Sequence, residues 1–118
     1  MKQKVFLSYA WQDRDRIDLA LQRLRDAHVA SVESLMDITD PVPDVKPGQD
    51  LRAKIREQIE QASVVVLLWT KHAEASDWVQ YEVGMADALD KPVVVVAESA
   101  APELPEPIAQ SEVVTLND

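Results

Sequence analysis

Hydrophobic and polar positions change period repeatedly along this chain. Lys4-Val-Phe-Leu-Ser-Tyr9 is a short apolar run that predicts a buried strand. From Asp13 to His28 the apolar residues Ile17, Ala20, Leu21, Leu24 and Ala27 recur at helical spacing, and Asp13 or Asp15 can cap that helix. Val29-Ala-Ser-Val-Glu-Ser-Leu35 alternates loosely and reads as a second strand. A further helix follows Asp50, with Leu51, Ile55, Ile59 and Ala62 as its apolar stripe. Ser63-Val-Val-Val-Leu-Leu-Trp69 is the clearest strand, apolar on both faces, as in the middle of a covered parallel sheet. A helix from about Ser76 to Leu89 comes next, and Pro92-Val-Val-Val-Val-Ala97 is a second two-sided strand. Glu112-Val-Val-Thr-Leu116 predicts a closing edge strand.

Two stretches break this rhythm. Met36 to Gln49 holds Pro41, Pro43, Pro47 and Gly48 with Asp37, Asp40 and Asp44 between them, which predicts a long loop. Loops of that length inside a compact domain tend to be functional. Residues 98–111 contain Pro102, Pro105 and Pro107 and predict an irregular acidic segment rather than a helix. Strands alternating with helices imply one α/β domain over residues 1–118. Its layout is flavodoxin-like and three-layered, a mostly parallel five-stranded sheet with helices on both faces.

Composition narrows the possibilities. With 118 residues, 47% of them hydrophobic and 28% charged, the chain has the make-up of one globular domain. It contains no cysteine, which rules out disulfides and thiolate metal sites. No segment has the length of a membrane span or a secretory apolar core, so the expectation is a cytoplasmic protein without membrane contact. Net charge is −9, and residues 98–118 carry five acids and no Lys or Arg. Nothing resembles the basic stripe needed for a phosphate backbone, so nucleic acid is not an expected partner. An anionic ligand would need its own local donors here.

In an open α/β sheet, ligands bind beyond the carboxyl ends of the strands. That rule nominates Ser8 to Arg14, the 36–49 loop, Trp69 to Asp77, and Ala97 to Ala101. In Ser76-Asp-Trp-Val-Gln-Tyr-Glu82, Ser76 or Asp77 is a fitting N-cap, and Trp78 and Glu82 lie four apart on one helix face. Val79, Val83, Ala86 and Leu89 should pack on the sheet, which puts Trp78 and Glu82 at the rim. A carboxylate there can accept bonds from ribose hydroxyls and stabilise positive charge growing on C1′. A lone Glu on a helix is more often solvated, and a Trp at helical spacing more often core, so spacing alone does not make this site catalytic.

The residues do resemble a family. Phe6-Leu-Ser-Tyr9 followed by Asp13 looks like the first box of TIR domains. Asp40 through Pro47-Gly48-Gln-Asp50-Leu51 resembles the family's loop after the second strand. Ser63 and the Ser76-Asp-Trp-Val-x-x-Glu82 helix continue the pattern, in order, from about Lys4 to Ala97. The resemblance implies a prokaryotic-type NAD⁺ hydrolase or cyclase in immune-type or cell-death signalling, including antiphage defence, with Glu82 catalytic. It implies substrate contacts from Ser8, Tyr9, Ala10, Trp11, Lys46 and Trp78, and an interaction loop at Asp40, Pro47 and Gly48. The products would be nicotinamide and ADP-ribose or a cyclic ADP-ribose isomer. No metal and no cofactor beyond the NAD⁺ substrate is implied, since the leaving group already carries positive charge. Partners implied are other TIR domains or further copies of the chain as an oligomer, and a sensor domain or recruiting protein.

The sequence departs from the family in two places. Where many members carry a basic residue after the Ser-Tyr pair, this chain has Ala10-Trp11. Arg14 or Lys46 can then serve the pyrophosphate, and Trp11 either stacks on a base or covers the first helix. Pro41-Val-Pro43-Asp-Val is an insertion that should stiffen the loop. Trp78 is divided between pocket wall and helix–sheet packing. His72 receives no role, and Asp37 and Asp40 are expected to fix loop turns.

Other function classes fit less well. A non-enzymatic TIR adaptor is the alternative, although adaptors can lack the glutamate that this chain has. A phosphoacceptor receiver needs acids where this chain has Ser8-Tyr9 and Trp69-Thr70, and is rejected. A nucleoside deoxyribosyltransferase also uses a Glu at ribose C1′, but the Pro-Gly loop and the Ser-Asp-Trp-Val helix fit TIR better.

Overall fold

The computed structural model describes residues 4–27, 37–39, 51–99 and 102–116. Five parallel strands form one sheet: β1 (Lys4–Ser8), β2 (Asp37–Thr39), β3 (Val64–Trp69), β4 (Val93–Ala97) and β5 (Glu112–Thr115), in the order β2-β1-β3-β4-β5. Ser8 lies level with Leu67, and Trp69 with Ala97, so the strands end near a common edge. β3 is buried along its whole length and β4 nearly so, as their two-sided apolar patterns require. β5 closes the sheet as expected.

Helices cover both faces. On one, α1 (Ile17–Asp26) lays Ala20, Leu21 and Leu24 over Val5, Leu7, Val66, Leu68 and Val96. On the other, α2 (Leu51–Gln61) contributes Ile55 and Ile59 against Phe6 and Val65. Beside it, α4 (Asp77–Ala88) packs Val79 and Val83 on Leu67, Trp69 and Val95. Each such valine, leucine, isoleucine or phenylalanine contributes about 1.5–3 kcal/mol when fully buried.

Several expectations are corrected. β2 falls at Asp37–Thr39, inside the stretch read as a loop, and Asp37 pairs with Lys4 rather than fixing a turn. Two β-branched residues, Ile38 and Thr39, suit a strand better than their Pro-rich surroundings suggest. The predicted strand at Val29–Leu35 lies outside the described residues. The first helix opens as a 3-10 turn at Trp11–Arg16, with Asp13 buried inside it instead of capping it. A four-residue helix, α3 (Lys71–Glu74), stands between β3 and α4, capped by Thr70. The 98–111 segment is irregular but contains one 3-10 turn at Glu106–Ile108, whose Ile108 plugs into the α4 side of the core.

Candidate functional site

The chain leaves β1 for β2 on one side, then crosses back from β2 to β3 on the other side of β1. The gap between the carboxyl ends of β1 and β3 is thus the topological switch point, the usual place for a ligand. Successive strand residues point to opposite faces. Ser8 and Ala10 turn towards α4, whereas Leu7 and Tyr9 turn towards α1.

Glu82 reaches this switch point from α4. Ser76 caps the helix by accepting from the Val79 amide at 3.2 Å, which fixes the first turns. Ser8 Oγ donates to Glu82 Oε1 at 2.8 Å, joining residues 74 apart in sequence. Both side chains are buried, and Glu82 is only 1% exposed. Its Oε2 has no hydrogen-bond partner among the described residues. Burial pushes the Glu82 pKa up to about 8, an effect that the Ser8 bond partly offsets. In this conformation the carboxyl is therefore neutral at pH 7. An unsatisfied buried oxygen costs about 1–3 kcal/mol. The neighbouring Val79, Val83 and Ala86, all buried, offset that by packing on the sheet.

The rim position expected for Glu82 is corrected by this burial. Residues 79, 82, 83 and 86 share the inward helix face, so Glu82 sits within the apolar stripe and not beside it. Trp78 does not accompany it. Its ring stacks on Tyr81 with centroids 5.4 Å apart, packed against the cluster that holds Ile55 and Ile59. The packing reading of Trp78 prevails.

Tyr9 and Trp11 lie on the α1 side of β1, around an open cleft of about 500 Å³ that also includes Leu7, Arg14 and Leu21. Trp11 is 57% exposed and lines this cleft together with Ile17 and Leu21 of α1; the Arg14 guanidinium lies 4.6 Å from its ring centroid. Ser8, Ala10 and Glu82 are thus brought together, while Tyr9, Trp11 and Trp78 are directed elsewhere. Lys46, Asp40, Pro47 and Gly48 lie outside the described residues.

A polar network beside the switch point was not foreseen. Asp13, 1% exposed, accepts from the Thr70 hydroxyl, and its other oxygen pairs with Arg16 at 3.3 Å. Arg16 also reaches Glu98, which accepts from the Lys71 amide at 2.9 Å. The network ties together the ends of β1, β3 and β4. Asp13 read as a helix cap because its spacing suits one, and nothing local signals a partner 57 residues away. Nearby, a cleft of about 350 Å³ is lined by Trp69, Lys71, Glu74, Glu98 and Glu103. Its three carboxylates make it a poor seat for a pyrophosphate.

Known proteins share this architecture. A 2-deoxyribosyltransferase from Bacillus psychrosaccharolyticus is 18% identical with a TM-score of 0.63, over 98% of this chain and 86% of that one. The TIR domain of a Toll-related receptor from Hydra magnipapillata is 16% identical, also with a TM-score of 0.63, over 94% and 82%. A CMP N-glycosidase from Clostridium botulinum is 18% identical with a TM-score of 0.54, over 96% and 86%. At these identities the likeness is one of fold. No curated protein matches the sequence. The TIR domain family matches residues 5–118, nearly the whole chain. The chain belongs to the TIR domain family.

Proposed function

We propose that this TIR domain cleaves the bond between nicotinamide and ribose in NAD⁺, with Glu82 as the catalytic carboxylate. The observation that carries the reading is the direction of that side chain. It points inward to the carboxyl end of β1, where it meets Ser8 at 2.8 Å, at the switch point of the sheet. When the C1′–N bond breaks, its electron pair leaves with nicotinamide and the ribose becomes oxocarbenium-like. An ionised carboxylate close to C1′ stabilises that charge. Water then captures the cation and loses a proton, giving ADP-ribose, or an internal atom captures it to give a cyclic isomer. The departing pyridinium is already cationic, so the step calls on no metal or separate cofactor.

Two of the fold relatives are a deoxyribosyltransferase and an N-glycosidase, chemistry in keeping with attack at a sugar–base bond. Trp11 and Arg14 offer a stacking face and a cation across β1, and a dinucleotide touching both them and Glu82 would pass over the end of that strand. Self-association with other copies or other TIR domains is the expected route to an assembled site, with recruitment by a sensor upstream.

Concentrated protein incubated with NAD⁺ should release nicotinamide, and Glu82→Ala should lower the rate by about 10²–10³. Unchanged release in that variant would defeat the mechanism. One observation favours a second reading, a binding adaptor: Glu82 is sealed from solvent. Measurable binding to partner TIR domains with no NAD⁺ loss at any protein concentration would establish the adaptor instead.

A further inference from the structure

Ser8 and Glu82 form a contact whose two ends differ in freedom. Ser8 ends a strand held on both sides, Val5 to Ser8 pairing with β3 and Lys4 to Phe6 with β2. Glu82 stands on α4, which Val79, Val83 and Ala86 fasten to the sheet. The backbones on both sides are fixed, while the Glu82 side chain has its own torsions. Among the described residues it is held inward by one hydrogen bond, and its second oxygen has no partner. The clefts on either side, one around Tyr9 and Trp11 and one around Trp69 and Glu98, are lined by other residues. A carboxylate that must touch a ribose is, in this conformation, out of reach of one.

We infer that Ser8 is a positioning residue whose hydroxyl latches Glu82 in an inward resting position, and that the latch opens before the carboxylate meets substrate. The inference takes Glu82 as the working carboxylate and so rests on the function proposed above. It gives Ser8 a role towards the enzyme's own acid, distinct from the direct substrate contact implied by the family resemblance. The inward state leaves one oxygen unsatisfied, which favours hydration of the turned-out side chain, and a single hydrogen bond opposes it. Removing that bond shifts the equilibrium outward by roughly threefold to tenfold.

A merely structural Ser8 makes the opposite prediction. The ion pairs of Arg16 with Asp13 and Glu98, and of Arg56 with Glu60, do not include Glu82. Burial raises its pKa and Ser8 lowers it. If Glu82 stayed inward without the hydroxyl, only the lowering influence would be lost and the pKa would climb above about 8. If the latch opens that much more readily, the carboxyl enters water more often and the midpoint falls below about 8, by roughly 0.5–1 pH unit for a threefold to tenfold shift.

The test is a carboxyl-carbon NMR titration of the whole chain labelled at glutamate, with the Glu82 signal identified by its disappearance in Glu82→Gln. Wild type should titrate near the raised value. In Ser8→Ala and Ser8→Gly the midpoint should drop, read on samples that melt cooperatively, while Ser8→Thr, which keeps a hydroxyl, retains the high midpoint. A midpoint that stays or rises in Ser8→Ala and Ser8→Gly overturns the latch. So does loss of the fold in both, since a latch is one hydrogen bond and not the core. Nicotinamide release is followed in the same samples. Its absence in wild type and variants alike would sink the NAD⁺ reading while leaving the shift in midpoint standing.

Discussion

A carboxyl group kept neutral inside a protein makes stability depend on pH in a direction fixed by its pKa shift. For Glu82 the folded value, about 8, lies above the ordinary 4.5. The folded state therefore holds its proton more tightly than the unfolded chain. Its contribution to stability is fully present below pH 4.5 or so and is lost as pH rises through about 8. Inside that window wild type should lose about 1.4 kcal/mol per pH unit relative to Glu82→Gln, which cannot ionise. Urea melts of both proteins at several pH values give the difference, in which other titrating groups cancel. A constant difference from pH 5 to 8 would mean that Glu82 is not buried as described. The sequence already contained a clue to this burial. Counting from Val79, positions 82, 83 and 86 complete a helical core stripe, so an acid at 82 lies on the buried side. The spacing of Trp78 and Glu82 on one helix face does not reveal it, because that pairing says nothing about which face is covered.

At the scale of elements, α4 ends as deliberately as it begins. Beyond Ala88 the Asp90 amide donates to Asp87 O at 3.0 Å and the Lys91 amide to Ala86 O at 2.9 Å, the paired bonds of a Schellman turn. That turn needs a left-handed residue, and Asp90 supplies it at φ 56°. Aspartate tolerates this region at some cost, glycine at none. Asp90→Gly should therefore stabilise the protein by about 0.5–1 kcal/mol in a urea melt, less whatever entropy the extra glycine adds to the unfolded chain. A loss of stability would show that the carboxylate of Asp90 matters more than its backbone. Elements such as α4 were legible because they satisfy local rules: a capping serine, a regular stripe and a proline soon after. β3 and β4 were legible for a related reason, since only a covered central strand is apolar on both faces. β2 was missed because three residues are too few to carry a period and the prolines around them argue for a loop. The 3-10 turn at Trp11–Arg16 escaped notice because its buried Asp13 is held by Thr70, a partner that no local pattern announces. The family resemblance places Tyr9 and Trp11 with Glu82 at one substrate site. Strand alternation, which a motif resemblance does not carry, sends Ser8 and Tyr9 to opposite sides of β1.

For the molecule as a whole the dominant fact is charge. Nine net negative charges on 118 residues mean that two copies repel strongly at low ionic strength, whereas NAD⁺, with far less charge, is repelled only weakly. Screening shortens the reach of both interactions to about 10 Å at 0.1 M salt. If activity depends on self-association, added salt should act mainly on assembly. Specific activity at dilute protein should rise by several-fold from low salt to about 0.15 M, and the protein concentration giving half-maximal activity should fall, while KM for NAD⁺ moves little. Surface screening also relieves repulsion within one chain, so the comparison is made at temperatures well below the melting transition of the low-salt sample. The sign separates two designs. A rise with salt describes acidic copies brought together by local contacts that tolerate their charge. A fall would mean that the productive encounter is attractive at long range, with a basic surface meeting an acidic one. Among the described residues the acidic cleft of Glu74, Glu98 and Glu103 would then be the natural place to look for the acidic partner, and Arg14 beside the exposed Trp11 for the basic one.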